Sequence, residues 1–282
     1  MPQALISNAL AAWPRFLKTW SMPETRPSLI VFTDLDGTLL DHETYDWRAA
    51  LPALTRLKAM NAAVVLASSK TGPEIARLQN EMGLTHWPAI VENGAGLLGD
   101  GAPPQYTALR AGLDQIGPSL RQGFTGFGDM SPHEVAQCTG LALEDAERAK
   151  ARAFSEPGLW SGADHARERF ISSLAALGIT AREGGRFLTL SFGTTKADQM
   201  AKVIARLSPR HTIALGDAPN DIEMLEAADF GVIVANPHRT PLPALRGEVE
   251  GRICRSELAG PLGWNTTVLQ LLDRIDLSQE EE

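Results

Sequence analysis

Two carboxylates, Asp34 and Asp36, stand two residues apart just after the apolar run Leu29-Ile30-Val31-Phe32 and just before Gly37-Thr38-Leu39-Leu40. In an extended strand, side chains two apart project to the same side. At a strand end both therefore reach one small site before Gly37 turns the chain away. Crowded carboxylates repel, and a Mg²⁺ ion, which prefers oxygen ligands, relieves that repulsion. The arrangement reads as phosphoryl-transfer chemistry. Taken alone, the pair also suits a simple turn, where Asp and Gly are common.

The elements around the pair decide whether it has company. A helical pattern runs from about Trp47 to Met60, and Ala63-Val64-Val65-Leu66-Ala67 reads as a buried parallel-type strand. A helix follows from Thr71 to Met82, with Pro73 in its first turn and Gly83 at its end; Ala89-Ile90-Val91 is a short strand and Glu92-Asn93-Gly94 a turn. At about Gly99 the texture changes, and Gly101-Ala102-Pro103-Pro104 breaks the chain. Helices are expected over Leu143–Ala153 and Ala163–Leu177. The α/β rhythm resumes with a strand over Phe187–Phe192, a helix over Lys196–Leu207, the strand Thr212–Leu215, a short helix over Asp221–Ala227 and the strand Phe230–Val234. A looser tail, punctuated by Pro241, Pro243 and Gly260, ends in a helix near Thr266–Ile275.

The fold class is therefore α/β, a Rossmann-like parallel-sheet core with an inserted domain, which the family resemblance given below implies to be an α+β cap domain. Its divisions are a leader over 1–27, core segments over 28–98 and 190–282, and the insertion over 99–189. In open parallel sheets ligands bind off the carboxyl ends of the strands. Three such ends carry polar chemistry: Asp34/Asp36, Ser68-Ser69-Lys70 and Asp217-Ala218-Pro219-Asn220-Asp221.

At 282 residues and 44% hydrophobic content the chain can build sizeable cores. A net charge of −8 argues against general affinity for nucleic acid or anionic membrane, since both need a basic surface. An anionic substrate then needs local Lys and Arg. Cys138 and Cys254 are too few for a disulfide framework or zinc site, which fits a reducing cytoplasm. Nothing resembles a signal peptide or membrane span. The leader, with Trp13, Phe16 and Trp20, is expected to be a loosely packed appendage.

In order and spacing, four motifs resemble those of the haloacid dehalogenase superfamily: Asp34-Leu35-Asp36-Gly37-Thr38, Ser68 in Leu66-Ala67-Ser68-Ser69-Lys70, Lys196, and Gly216-Asp217-Ala218-Pro219-Asn220-Asp221. Alone, Ser68 could cap the following helix and Lys196 could be a solvated helix residue. The resemblance implies Asp34 as nucleophile, Asp36 as general acid then base, and Ser68 and Lys196 as holders of phosphoryl oxygens. It also implies Mg²⁺ bound by Asp34, Asp217 and the backbone carbonyl of Asp36, with Asp221 and Asn220 orienting that shell.

From about Ser28 onward the chain further resembles the mannosyl-3-phosphoglycerate phosphatases, a subgroup with a type IIB cap. The likeness rests on Gly126-Phe127-Gly128-Asp129-Met130-Ser131, Thr139-Gly140-Leu141, Arg152-Ala153-Phe154-Ser155-Glu156-Pro157, Gly184-Gly185-Arg186-Phe187 and Ser68-Ser69-Lys70-Thr71. A phosphorylated glycosyl glycerate is a dense anion, so Arg152 and Arg186 are candidates to grip its carboxylate, with backbone amides near Ser155 as helpers and Ser69 and Ser155 as further substrate-binding candidates. Glu92, Asn93, Asp129 and Glu156 are candidates to pair with sugar hydroxyls. The chain departs from the subgroup at Ala95-Gly96 and at Thr194-Thr195-Lys196-Ala197-Asp198, where Asp-Lys-Gly is usual. Gly99–Pro104 and Phe187–Gly193 are the expected hinges. A phosphatase for another sugar or polyol phosphate, and a non-catalytic binding module, are the alternative readings; oligomeric state stays open.

Overall fold

The computed structural model describes Trp20 and residues 23–275. Most of the leader, including Trp13 and Phe16, lies outside the described residues. Along the chain the elements are β1 (Leu29–Thr33), α1 (Leu51–Ala59), β2 (Ala63–Leu66), α2 (Gly72–Met82), β3 (Ala89–Val91), β4 (Gly96–Leu98), α3 (Tyr106–Leu113), α4 (Pro118–Arg121), β5 (Phe124–Gly126), α5 (Pro132–Thr139) and α6 (Leu143–Lys150). They continue with β6 (Glu156–Trp160), α7 (Asp164–Ala175), β7 (Thr180–Gly184), β8 (Phe187–Ser191), α8 (Lys196–Leu207), β9 (His211–Gly216), α9 (Ile222–Ala227), β10 (Phe230–Ala235), α10 (Arg246–Val249), β11 (Ile253–Ala259) and α11 (Gly260–Arg274). Two compact units share them. One holds Ser69–Thr85 and Ala95–Thr194; the other holds the described residues before Ser69, His86–Gly94 and those from Thr195 onward. Among the described residues no helix is long and apolar enough to cross a membrane.

The second unit is a parallel sheet in the order β11-β10-β9-β1-β2. All five residues of β1 are buried, as a parallel strand covered on both faces requires. The chain leaves β1 toward β2 on one side and returns to β9 on the other, so β1 ends at the point where strand order reverses. Thr33 pairs with Leu66 on one neighbour and Leu215 on the other, which brings the ends of three strands level. The Asp34 amide continues that register by donating to the Leu215 carbonyl at 2.9 Å. Helix α11 buries Trp264, Val268, Leu271 and Leu272.

The tail differs from expectation. Residues around Cys254, read as loop, form edge strand β11, whose Arg255 and Glu257 interrupt the apolar pattern. Helix α11 begins at Gly260, where a φ of 54° turns the chain, rather than near Thr266.

The first unit holds an antiparallel sheet in the order β5-β6-β8-β7, so the expected α+β character of the insertion is present. Its core gathers Leu109, Phe124, Phe170, Leu174 and Leu190, with the Phe124 and Phe170 rings stacked at 5.5 Å. Residues Phe187–Ser191, expected both as a strand of the core rhythm and as part of a hinge, are instead β8, an interior strand of this sheet. Helix α2 belongs to this unit too, its N-cap Thr71 donating from Oγ1 to the Arg148 carbonyl at 2.9 Å.

Candidate active site

The turn after β1 is set by glycine. Gly37 has a φ of 85°, and a Cβ there would lie 2.3 Å from the Asn236 amide nitrogen and 3.2 Å from an Asp217 oxygen. Only glycine meets both the left-handed backbone and the close approach. The loop folds on itself through Thr38 N–H to Leu35 O at 3.0 Å and Leu40 N–H to Leu35 O at 2.8 Å. Asp34 is left buried at the strand end and Asp36 half-buried beyond it. Behind Asp34, the Thr33 hydroxyl donates to the Asp34 carbonyl at 2.7 Å and accepts from the indole of Trp264 at 2.9 Å, which pins the strand end to α11.

Lys196 opens α8, and its placement breaks a local rule. A cation in the first helical turn opposes the helix dipole, yet the side chain is only 1% exposed. Two carboxylates compensate: its Nζ donates to Asp34 at 2.6 Å and Asp221 at 2.7 Å. Thr195 and Asp198 form a reciprocal capping box that starts the helix, which accounts for the unusual Thr195-Lys196-Ala197-Asp198 run. The solvated-residue alternative for Lys196 is thus removed. So is the cap alternative for Ser68, because α2 is capped by Thr71 with Glu74; Ser68 is buried and its amide donates to the Ile90 carbonyl at 3.0 Å.

Asp217 and Asp221 follow β9. Asp221 has both oxygens occupied, one by Lys196 and one by the amides of Asp217 and Ala218. Gly216 lets it approach: a Cβ there would fall 2.4 Å from that of Asp221. Asp217 accepts from Thr38 at 2.9 Å, Asn236 at 2.8 Å and the Arg239 guanidinium at 3.3 Å. Asn236 and Arg239 escape the sequence reading. The only signal for Asn236 is that it is the first polar residue beyond the buried strand β10.

Burial pushes Asp34 up to about 6, and Lys196 offsets this only in part while Asp221 and Asp36 add to it. Burial followed by the neighbouring Asp34 likewise raises Asp217. Such an excess of buried negative charge is relieved by a cation. Asp34, Asp217 and Asp221 each offer an oxygen, all within 4.8 Å of one another, and an all-carboxylate donor set suits Mg²⁺. The residues present therefore fit that ion.

In the other unit, Arg152 is buried beyond the end of α6; it donates to the Ser155 hydroxyl at 2.7 Å and the Ser69 carbonyl at 3.3 Å, bringing three candidates together. Arg186 does not join them. Leu190 pairs with Glu156, so Arg186, at the exposed β7–β8 tip, lies four residues further along the sheet, roughly 13 Å away at strand spacing. There it donates to the Cys138 carbonyl at 2.7 Å.

Asp129 and Glu156, expected to meet sugar hydroxyls, have another occupation. The buried Glu156 accepts from Arg110 at 2.7 Å, the Tyr106 hydroxyl at 2.7 Å and the Gly128 amide at 2.8 Å. Asp129 accepts from Arg110 at 2.6 Å, Arg121 at 2.7 Å and the Gly126 amide at 2.9 Å. These guanidiniums hold Asp129 below the usual carboxylate range against the opposing effect of burial. Arg110→Ala should destabilise the protein by about 3–5 kcal/mol, since it strands a buried carboxylate. Adding Glu156→Gln should recover part of that loss, read from urea unfolding midpoints.

A model of the haloacid dehalogenase-like hydrolases matches residues 31–101 and 163–244, more than half of the chain. The chain belongs to the haloacid dehalogenase-like hydrolase family. Solved structures share the fold at low identity. A hypothetical protein of Geobacillus kaustophilus is 20% identical, with a TM-score of 0.61 over 87% of this chain and 99% of that one. The sucrose-phosphatase of Synechocystis, solved with sucrose and phosphate, is 17% identical, with a TM-score of 0.58 over 90% and 100%. A subclass IIB sugar phosphatase of the same superfamily is 18% identical, with a TM-score of 0.57 over 87% and 98%.

Proposed function

We propose that the protein is a Mg²⁺-dependent phosphatase that hydrolyses mannosyl-3-phosphoglycerate, or its glucosyl counterpart, to the glycosylglycerate and phosphate. The observation that carries the phosphatase reading is the buried contact of Asp34 with Lys196 beside Asp217 and Asp221, on a chain of this family. An Asp34 oxygen attacks phosphorus and the bond to the glycerate oxygen breaks. Asp36 gives that oxygen its proton, then takes one from the water that cleaves the aspartyl-phosphate. Lys196 and Ser68 hold the non-bridging oxygens. When bound, Mg²⁺ neutralises charge between phosphoryl group and carboxylates.

The glycerate reading is supported by the cap motifs and by Arg152 beside Ser155 and Ser69. A second reading, another sugar phosphate, is favoured by the fold shared with a sucrose-phosphatase and a sugar phosphatase. Phosphate release should be measured over mannosyl- and glucosyl-3-phosphoglycerate, sucrose phosphate and hexose phosphates, with and without Mg²⁺. The highest kcat/KM is expected on the glycosyl phosphoglycerates; a preference for sucrose or hexose phosphates selects the second reading, and no Mg²⁺-dependent release on any member overturns both. Arg152→Ala should raise KM for the glycerate substrates more than tenfold, on the order of one charge-assisted contact, with a smaller change in kcat.

Metal binding has its own readout. At a hundredfold excess over its dissociation constant Mg²⁺ should add about 2.7 kcal/mol of stability. Asp217→Asn should erase most of that melting shift.

A further inference from the structure

Glu92, Asn93 and Gly94 have φ angles of 53°, 58° and 88°, three left-handed residues in succession, two of which carry a Cβ. Left-handed backbone costs a non-glycine residue roughly 1–2 kcal/mol. It persists where its surroundings over-determine it, and such sites cluster near function. Here three neighbours fix it, all within the parallel-sheet unit. The Asn93 amide donates to the Ser68 carbonyl at 2.9 Å. The Asn93 side-chain oxygen accepts from Asn220 at 2.9 Å. Gly94 lies so close to the start of α8 that a Cβ would fall 2.1 Å from the Thr195 carbonyl carbon and 2.3 Å from the Lys196 nitrogen.

A fourth contact closes the arrangement. Gln199, only 2% exposed and one turn after Lys196, donates from Nε2 to the Gly94 carbonyl at 2.9 Å. Ser68, Lys196 and Asn220 sit on three separate segments, after β2, at the start of α8 and after β9, and nothing else described above joins all three. We propose that the Glu92–Gly94 turn and Gln199 form a bracket that sets these three segments in one register, with Gln199 and Asn93 as positioning residues. The bracket gives the Asn93 side-chain oxygen a partner within the protein in place of a sugar hydroxyl. It also explains the strained turn: a relaxed turn would not present one amide to Ser68 and one glycine to the Lys196 backbone together. The catalytic importance of that register rests on the phosphoryl-transfer reading.

Two variants test the bracket, by two readouts. Gln199→Met keeps length and apolar packing but removes the donor, and Gly94→Ala adds the Cβ that α8 has no room for. On p-nitrophenyl phosphate with Mg²⁺, Gln199→Met should lower kcat by about 10- to 100-fold, the scale of a small misplacement of catalytic groups. KM should change less than about threefold, because the loss falls on an interaction made in the transition state. Gly94→Ala should lower kcat further. Native-state hydrogen exchange, which needs no substrate, reads the bracket directly: the Asn93 amide should exchange at least tenfold faster in Gln199→Met while amides of β9 keep their protection. Wild-type kcat in Gln199→Met, or unchanged Asn93 exchange, overturns the bracket. An inactive wild type overturns only the phosphatase reading, and the exchange experiment still decides the bracket, even if Gly94→Ala fails to fold.

Discussion

Asp34→Asn is expected to reduce phosphate release by about 10³-fold or more, the scale on which removal of a nucleophile acts, while leaving the metal-free protein at least as stable as the wild type. The two halves of that expectation come from one environment. Asp34 is buried, and burial is the largest influence on its carboxyl, ahead of the opposing Lys196 ammonium. Asp221 and Asp36 add repulsion. Asparagine keeps the shape and removes one of the mutually repelling charges, while Lys196 retains Asp221 at 2.7 Å. A group held in an unfavourable state for chemistry is relaxed by the substitution that destroys the chemistry. Unimpaired release by a purified Asp34→Asn protein would sink the nucleophile assignment.

The stability half has a pH signature. A carboxyl whose folded pKa, about 6, lies above its unfolded value binds more protons when folded through the window between them. Stability therefore falls as pH rises through that window, from near 4 to beyond 6. Below it both states are protonated and the penalty vanishes. In chelator, the melting temperature of Asp34→Asn minus that of the wild type should be near zero at pH 4, grow with pH and level off above about 7. A difference that is largest in acid would contradict this account. Restoring Mg²⁺ should raise the wild type and move the variant much less.

Much of this site was legible because its residues sit where α/β topology must bring them, at the ends of parallel strands. Asp34, Ser68 and Asp217 follow β1, β2 and β9, and the buried runs before them are strong patterns. Lys196 was visible for a different reason: only its place in the order of the family motifs marked it, since a lysine at a helix start is by itself an ordinary solvated residue, and the capping box that fixes that start shows in the structure. The partners of Asp217 were not legible. Asn236 and Arg239 lie on a loop beyond β10, and no period ties a loop residue to a carboxylate on another strand. Nor does any pattern tie Trp264 to Thr33. The inserted unit was harder still. Strand β6 begins Glu156-Pro157-Gly158, residues of low strand propensity, and most of β7 is exposed, so neither shows alternation. That Arg110 holds both Asp129 and Glu156 was not legible either, because it comes from a helix that composition does not mark.

Lys196→Met reverses the pattern of Asp34→Asn: activity and stability should fall together. Methionine matches the length and packing of lysine, so the effect isolates the charge. It leaves Asp34 and Asp221 buried, near one another and without their shared cation, 2.6 and 2.7 Å from where the ammonium stood. Removing one partner of a buried ion pair costs about 3–5 kcal/mol, because the remaining charge keeps its desolvation penalty and loses its compensation. Losing one preorganised donor to the phosphoryl oxygens costs about 10²–10³ in kcat. Protonation offers the protein a partial escape, so the melting loss relative to wild type should shrink toward pH 4. Adding Asp221→Asn should recover part of the stability and none of the activity, since it removes a stranded charge without restoring the donor. If the double variant were instead no more stable than Lys196→Met, the two carboxylates would not be sharing one ammonium, and the electrostatic account of the site would fail at its centre.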